Sequence, residues 1–292
     1  MTISKKLMTV LLALTLAAGL ALSACQGSGD SDSSAAGAAS AGDQTATGAV
    51  GNGDLGLVTP GKLTIGSDCD YPPFISMQAG KPTGFEEEMM QYVAADLGLE
   101  LNYLPPQNFD TLIPSVNGGG KMDLAVSSLT INDERKESVN FAMPYFDSNQ
   151  ACVTLKGSGY TTADQLDGKV VGAQAGTTGA DWVKENLPNA TLKIFNQTSE
   201  GMAALVAKQV EALFIDEPVA KAMVADTFTD CRVTEVIITG EKYGIAVSKN
   251  NPALESAVND SLKKLVDDGT YAKLFKKYFN YEPSITPESI KN

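Results

Sequence analysis

The 292-residue chain contains no histidine. Histidine is the commonest general base in enzymes and a usual ligand of zinc, so its absence argues against a hydrolytic triad and a catalytic zinc site. The chain also lacks cysteines at metal-binding spacings and has no glycine-rich loop with the lysine of a phosphate-binding motif. The sequence therefore predicts neither a bound metal nor a cofactor.

Basic residues are fewer than acidic ones. The chain has 22 lysines and arginines against 35 aspartates and glutamates, which gives a formal net charge of −13. An acidic surface repels nucleic acid and anionic lipid, because all three carry negative charge. We therefore expect no nucleic-acid partner.

Long apolar runs are absent after the first 24 residues. Residues 1–24 combine two lysines, an apolar run and small residues, which is typical of a secretory signal peptide; a transmembrane anchor is the weaker alternative. Residues 22–25, Leu-Ser-Ala-Cys, are similar to a bacterial lipobox, which implies cleavage before Cys25 and a lipid such as palmitate on its sulfur. Residues 25–56 are rich in small and polar side chains and predict a flexible, disordered tether. We expect a lipid-anchored protein on the extracytoplasmic face of the cell membrane.

Few cysteines remain for disulfide bonds. With Cys25 lipidated, the chain retains Cys69, Cys152 and Cys231. An odd number allows at most one disulfide, and the sequence does not indicate which two would pair.

Beyond residue 61, short apolar segments alternate with amphipathic ones, and the alternation begins again near residue 169. Alternating strands and helices favour an open α/β sheet, and two such units in tandem predict two lobes with a cleft between them. Thr83 and Glu86 form the pattern of a capping box at the start of the first helix. Two amphipathic helices are predicted at residues 252–267 and 270–279.

The segment from Leu124 to Arg135 carries the clearest ligand-binding pattern. An apolar run leads into the hydroxyl side chains of Ser127, Ser128 and Thr130, and a helix start follows with Arg135 about one turn in. Backbone N–H groups at such a junction attract anions, and a guanidinium binds a carboxylate with two parallel bonds. No acidic residue lies three or four positions from Arg135. Arg135 therefore predicts a ligand-carboxylate site; a surface arginine on a capped helix is the alternative.

Further candidates follow other strand ends, because ligands in open α/β sheets bind beyond the carboxyl ends of the strands. Several have a structural alternative: Asp68 could form only an Asx turn, Phe109 could be core, and Asp216 could cap a helix. A glycine-bearing loop before a helix offers threonine hydroxyls, one of which is expected to cap that helix. The full set is Asp68, Tyr71, Phe109, Ser127, Ser128, Thr130, Arg135, Gln174, Thr177, Thr178 and Asp216.

Six segments carry a resemblance to a known family. They are residues 65–74, Gly84 with Phe85, 109–114, 123–130 with Arg135, 171–178 and 268–278. In this order they resemble bacterial extracellular solute-binding proteins of family 3, which include the lysine/arginine/ornithine-, histidine- and glutamine-binding proteins of ABC transporters. The resemblance implies an α/β fold of the type II periplasmic-binding-protein class, with two lobes joined by a two-strand hinge near residues 149–152 and 242–246. It assigns residues 57–149 and 246–292 to lobe 1 and residues 150–245 to lobe 2.

The resemblance also implies roles for the residues that would hold an amino acid by its backbone. Arg135 would bind the α-carboxylate with help from Thr130 and Thr178. Asp216, with the region of Ser128, would bind the α-ammonium group.

The ligand's side chain is less closely specified. By the same resemblance Tyr71 and Phe109 would sandwich it, and Asp68 with Gln174 would meet its tip. These groups favour a basic or amide-bearing ligand such as arginine, lysine or glutamine. Cys69 departs from the family pattern and leaves cystine open.

The resemblance implies a protein without enzymatic activity, whose partners are an amino acid, ABC permease subunits and, through its lipid anchor, the membrane. The sequence does not give the oligomeric state, and a monomer is the default expectation. The same fold also serves as cyclohexadienyl dehydratase and as a sensor domain of receptors. A lipoprotein that binds another macromolecule is a third alternative, and it would show no response to small ligands.

Overall fold

The protein is described by a computed structural model that covers residues 54–287 and residue 289. The predicted signal peptide, Cys25 and all but the last three residues of the predicted tether lie outside these residues. Within them, no helix is both long enough and apolar enough to cross a membrane.

The first part of the chain builds four strands of the main sheet and a small separate sheet. In order, its elements are β1 (Lys62–Gly66), β2 (Asp70–Tyr71), β3 (Ile75–Gln78), β4 (Lys81–Thr83), α1 (Phe85–Asp96), β5 (Glu100–Tyr103), a 3-10 turn (Phe109–Thr111), α2 (Leu112–Asn117), β6 (Leu124–Thr130), α3 (Asp133–Ser138) and β7 (Val139–Phe141).

The second part repeats the alternation and ends in a helical pair. It comprises β8 (Phe146–Leu155), a 3-10 turn (Ala163–Leu166), β9 (Val170–Gln174), α4 (Thr178–Asn186), β10 (Thr191–Phe195), α5 (Thr198–Val206), β11 (Ala212–Asp216), α6 (Glu217–Asp226), β12 (Cys231–Ser248), α7 (Pro252–Asp267) and α8 (Thr270–Phe279). The α/β class predicted from the sequence is confirmed, and both terminal helices have the predicted bounds.

Two groups of parallel strands flank a central antiparallel pair. The strand order in the main sheet of the described residues is β10-β9-β11-β8-β12-β6-β1-β5, and β7 also pairs with β12. Strands β9, β10 and β11 are mutually parallel on one side, and β1, β5 and β6 are parallel on the other. The long strands β8 and β12 pair antiparallel and connect the two groups. Because parallel strands of one group end at the same edge, the residues after β1 and β6 lie close together, as do those after β9 and β11.

The β8–β12 ladder is interrupted at two places, between Val233 and Glu235 and again nearer the cavity. Its register shifts between Ile237 and Glu241, and the Asn149 side chain accepts hydrogen bonds from the backbone N–H groups of Thr239 and Gly240, each at 3.2 Å. A bulge of this kind re-aims the residues that follow it. The ladder resumes with Glu241 opposite Ser148.

Helix α1 packs its apolar face against the core as predicted, with Phe85, Met89 and Val93 fully buried. The predicted capping box is wrong. The helix is capped by Gly84 without a side-chain hydrogen bond, and the Glu86 side chain is fully buried instead. Gly84 has φ of 137°, and a Cβ there would lie 2.2 Å from the carbonyl oxygen of Phe74, so only glycine fits this entry into the helix.

The three cysteines in the described part of the chain are free thiols, and all are buried. Burial raises the pKa of Cys69 to about 11 and that of Cys152 to about 12, and it also raises the pKa of Cys231. Because the thiolate is the reactive form, we expect no reaction of the folded unit Gly48–Asn292 with dithionitrobenzoate at pH 8, and reaction of three thiols after unfolding. A rapidly reacting thiol in the folded protein would contradict this burial.

Candidate functional site

Nine residues from several strands and helices line one small cavity. They are Tyr71, Phe109, Ser128, Thr130, Arg135, Gln174, Thr177, Thr178 and Asp216. All nine belong to the set predicted from the sequence, and the other two members, Asp68 and Ser127, lie directly behind the cavity wall. The free volume is only about 10 Å³, roughly the space of one water molecule. The structure is therefore a closed form, in which an amino acid would have to displace side chains.

Arg135 spans the cavity from helix α3. Asn132 caps this helix by accepting a hydrogen bond from the Arg135 backbone N–H at 2.8 Å. The guanidinium donates to the carbonyl oxygens of Thr130 at 2.7 Å and Gly176 at 2.9 Å, and its carbon lies 5.5 Å from the centre of the Phe109 ring. It forms no ion pair with any carboxylate in the described part of the chain. Burial lowers the pKa of Arg135 and the charges of Asp216 and Glu241 oppose this shift, but an arginine stays charged in proteins, so the cation has carboxylates nearby without pairing directly with one.

Asp216 lies at the end of β11 and begins helix α6, but its side chain makes no capping bond. Its carboxylate instead accepts hydrogen bonds from the Tyr243 hydroxyl and the Gln150 amide, and its backbone N–H donates to the Tyr71 hydroxyl at 3.3 Å. The residue is only 5% exposed. Burial, and then the charge of Glu241, raise the pKa of Asp216 to about 7. Of the alternatives for this residue, helix capping by the side chain does not occur.

Asp68 is held by neighbours on both sides. Its carboxylate accepts hydrogen bonds from the Ser127 hydroxyl at 2.8 Å and the Gln174 amide at 3.0 Å, and it also forms an Asx turn with the backbone N–H of Asp70 at 3.3 Å. The Gln174 amide is itself fully engaged, since it also donates to the Asn196 carbonyl and accepts from the Thr198 hydroxyl, both at 3.0 Å. Burial raises the pKa of Asp68. Gln174 therefore positions Asp68 in this closed form.

Thr177 is the residue that caps helix α4. Its hydroxyl accepts a hydrogen bond from the Ala180 backbone N–H at 3.2 Å and donates to the Gln174 carbonyl at 2.8 Å. The predicted cap is thus present. The neighbouring Thr178 hydroxyl is left for contacts inside the site.

Ser128 has a strained backbone that a buried acid holds in place. Its φ is 49°, an uncommon value for a residue other than glycine, and such strain often marks functional sites. Its backbone N–H and hydroxyl both donate to one carboxylate oxygen of Glu86, at 2.7 and 2.8 Å, and the Tyr145 hydroxyl donates to the same oxygen. The other Glu86 oxygen is buried without a partner, and burial raises the pKa of Glu86 to about 7. Sequence reasoning missed this role, because Glu86 matched a local capping pattern.

Gln150 and Glu241, on the long strands β8 and β12, were also missed. One carboxylate oxygen of Glu241 accepts hydrogen bonds from the hydroxyls of Thr130 at 2.8 Å and Thr178 at 3.0 Å. The Gln150 amide nitrogen lies 3.2 Å from both oxygens of Glu241 and also contacts Asp216. Neither residue follows the end of a strand, so the rule that located the other candidates does not find them.

Residues 63–281 match the family of bacterial extracellular solute-binding proteins, family 3. The match spans three quarters of the chain. The chain belongs to this family.

Named relatives of this family 3 protein are transport binding proteins. The L-cystine-binding protein TcyJ of Escherichia coli (strain K12) is 33% identical over 223 residues, which is 75% of this chain and 83% of TcyJ. The ABC transporter glutamine-binding protein GlnH of Bacillus subtilis (strain 168) is 33% identical over 209 residues, 70% of this chain and 76% of GlnH.

Solved structures agree on the fold. An ancestral arginine-binding protein bound to arginine superposes with a TM-score of 0.71 and 34% identity, over 75% of this chain and 98% of that protein. The ancestral amino acid-binding protein AncCDT-1, described as a precursor of cyclohexadienyl dehydratase, has a TM-score of 0.70 and 32% identity, over 75% and 96% of the two chains. The fold of the family 3 protein is therefore that of type II periplasmic binding proteins, with two α/β lobes joined by two strands.

Proposed function

We propose that this family 3 protein captures an L-amino acid outside the cytoplasmic membrane and delivers it to an ABC import permease. The observation that supports this most directly is a cation and an anion on the walls of one cavity: Arg135, which has no ion pair in the described residues, and Asp216. A zwitterion places a carboxylate and an ammonium group a few ångströms apart and would neutralise both.

Each end of the ligand has its own partners in this proposal. Arg135 takes the α-carboxylate with the threonines Thr130 and Thr178 beside it, and Asp216 with the region of Ser128 takes the α-ammonium group. Hydrogen bonds to charged groups contribute about 1.5 to 3 kcal/mol each. Three or four of them reach about 8 kcal/mol, the free energy of a micromolar complex, only before the loss of freedom on binding is subtracted, so burial of the ligand's side chain has to contribute the rest.

The side-chain pocket favours a basic or amide-bearing amino acid, such as arginine, lysine or glutamine. Tyr71 and Phe109 supply aromatic walls, and Asp68, fixed by Gln174, supplies an acidic group near the expected tip. Cystine is the second candidate, supported by the likeness to TcyJ and by Cys69 in the loop before Tyr71.

Closure of two lobes would trap the ligand, and the cavity, which admits about one water molecule in this closed form, would enlarge as the lobes open. We place the lobes at residues 57–149 with 246–292, and at 150–245, with bending at strands β8 and β12. We further propose that the protein is a monomer held at the membrane by a lipid on Cys25.

We propose that the protein is not an enzyme. The likeness to AncCDT-1 supports a test of the alternative, cyclohexadienyl dehydratase activity. The purified unit Gly48–Asn292 should release no product from prephenate or arogenate. Turnover that Asp216→Asn abolishes would contradict the proposal.

The binding proposal is tested by a melting-temperature screen of Gly48–Asn292, unfolded and refolded to remove bound ligand, against the twenty common amino acids, ornithine, citrulline and cystine. A ligand that binds only the folded state stabilises it by about 2.7 kcal/mol at one hundred times its dissociation constant, so the midpoint must rise. We expect a rise of several degrees with one amino acid or a few related ones. No rise with any of them would contradict the proposal.

A further inference from the structure

The carboxylates of Asp216 and Glu241 both contact the side-chain amide of Gln150 beside the cavity. The Gln150 amide nitrogen contacts Asp216 and lies 3.2 Å from both oxygens of Glu241, so the two acidic groups are neighbours. Their proximity has an electrostatic effect, since the charge of Glu241 is the second cause of the raised pKa of Asp216. Nothing in the family assignment gives Glu241 a role.

Glu241 is fixed at the cavity wall by two residues that line it. The hydroxyls of Thr130 and Thr178 donate to the same oxygen of Glu241, at 2.8 and 3.0 Å. A hydroxyl has one proton to donate, so in this arrangement neither threonine hydroxyl can also donate to a ligand carboxylate. A ligand carboxylate that recruits these two hydroxyls, as proposed above, therefore has to take them from Glu241.

The charges around the cavity do not balance. Above pH 7, Arg135 supplies one positive charge, while Asp216 and Glu241 supply two negative charges, and the buried acids Asp68 and Glu86 lie behind the cavity wall. Neither Glu241 nor Asp216 forms an ion pair with a lysine or arginine in the part of the chain that the structure describes. A zwitterionic ligand adds no net charge and leaves at least one carboxylate uncompensated, which is unfavourable in a closed site. A ligand with one additional positive charge removes this excess.

We infer that Glu241 is a specificity-determining residue that makes the site prefer an amino acid of net positive charge over a neutral one. The inference rests on the proposed function and narrows its ligand class. Glu241, on the connecting strand β12, would thus discriminate between cationic and amide-bearing ligands, a choice that Asp68 and Gln174 leave open.

The test compares arginine with glutamine in Glu241→Gln. The change keeps the size of the side chain and an oxygen for the two threonines, but it removes the charge. Calorimetric titration of Gly48–Asn292 at pH 8, where Asp216 is ionised, gives both dissociation constants. We expect the ratio of the glutamine constant to the arginine constant to fall at least about tenfold relative to the unmodified protein.

Two further variants separate charge from structure. Glu235→Gln is the matched control, since Glu235 lies on the same strand and accepts a hydrogen bond from the Ala163 backbone N–H outside the cavity; its ratio should not change. Glu241→Asp keeps the charge and shortens the side chain, so it should retain the preference for arginine even if the threonine bonds are lost. Circular dichroism establishes that each variant is folded.

The outcomes are distinguishable. An equal change in affinity for both ligands, or no change, in Glu241→Gln would overturn the inference and leave only a structural role for Glu241. A loss of preference in Glu241→Asp as large as in Glu241→Gln would overturn it as well. Failure of the unmodified protein to bind either ligand would overturn the proposed ligand class itself, and this inference with it.

Discussion

Arg135→Ala is expected to weaken amino-acid binding at least about 30-fold while the protein remains folded. Removing one partner of a desolvated charge pair costs about 2 to 5 kcal/mol, and each 1.4 kcal/mol is a factor of ten in affinity. The loss should be large because Arg135 is the single cation among the nine cavity-lining residues. Calorimetric titration with the ligand found in the melting screen gives the dissociation constant, and circular dichroism verifies the fold.

The sequence offers a matched control, since it has one other arginine, Arg232. Arg232 donates to the Tyr160 carbonyl and is absent from the cavity wall, so Arg232→Ala should leave the dissociation constant unchanged. Arg135→Lys keeps the charge without the two-pronged geometry and should weaken binding about tenfold. Unchanged affinity in Arg135→Ala would remove this residue from the ligand site and, with it, the central support for the proposed function.

The segment from Leu124 to Arg135 could be interpreted from the sequence because its signals are local. An apolar run, a helix cap at Asn132 and an arginine without a nearby acid are all visible within twelve residues. The α/β alternation then places the ends of parallel strands at one edge of the sheet, which is why residues as distant as Tyr71 and Thr178 could be grouped in advance. The structure brings them to one cavity, and their contact with a ligand remains a prediction.

Glu241 and Gln150 could not be found in this way. They meet through the antiparallel pairing of β8 and β12, whose partners Gln150 and Ile237 are separated by almost ninety positions in sequence. The register shift between Ile237 and Glu241 then determines which side chain points to the cavity, and no local pattern encodes that shift. The first half of β12 was missed altogether, because its residues are mostly half-buried and lack a clear alternation.

Glu86 illustrates a conflict between local and tertiary signals. Thr83 and Glu86 have capping-box spacing, but Gly84 has to cap the helix because the backbone passes too close to Phe74 for any side chain. The Glu86 carboxylate, which a capping box would place at the helix N-terminus, instead accepts hydrogen bonds from Ser128. The small sheet of β2, β3 and β4 was likewise not predicted from the sequence, since a stretch containing Pro72 and Pro73 favours a loop over strands.

Binding should depend strongly on pH because of Asp216. Burial raises the pKa of this group to about 7, so in the ligand-free closed form it is mostly protonated below that pH. A ligand ammonium group requires the ionised carboxylate, and binding therefore releases a proton. The affinity for the ligand therefore rises with pH and levels off above about pH 7, and it falls about tenfold for each pH unit below 7. We expect the dissociation constant at pH 5 to be about 100 times that at pH 8.

Several groups face Asp216 and contribute to the pKa of its carboxyl group. Glu241 raises the pKa, while hydrogen bonds from Tyr243, Gln150 and Tyr71 lower it. Calorimetry at pH 6.5 in two buffers with different heats of ionisation measures the proton release, which should be about 0.8 per ligand bound, the fraction of Asp216 that is protonated at that pH. In Asp216→Asn the affinity should be weak at every pH, and the proton release should disappear.

Glu86 is the group that must be separated from Asp216, because burial also raises its pKa to about 7. Glu86→Gln removes that titration while leaving Asp216 intact, so the pH dependence and the proton release should both persist in this variant. If Glu86→Gln instead abolished the pH dependence, the titrating group would be the acid behind Ser128, and the ammonium group would not be bound by an ionised Asp216. Persistence in Glu86→Gln together with loss in Asp216→Asn would place the ligand's positive charge at Asp216.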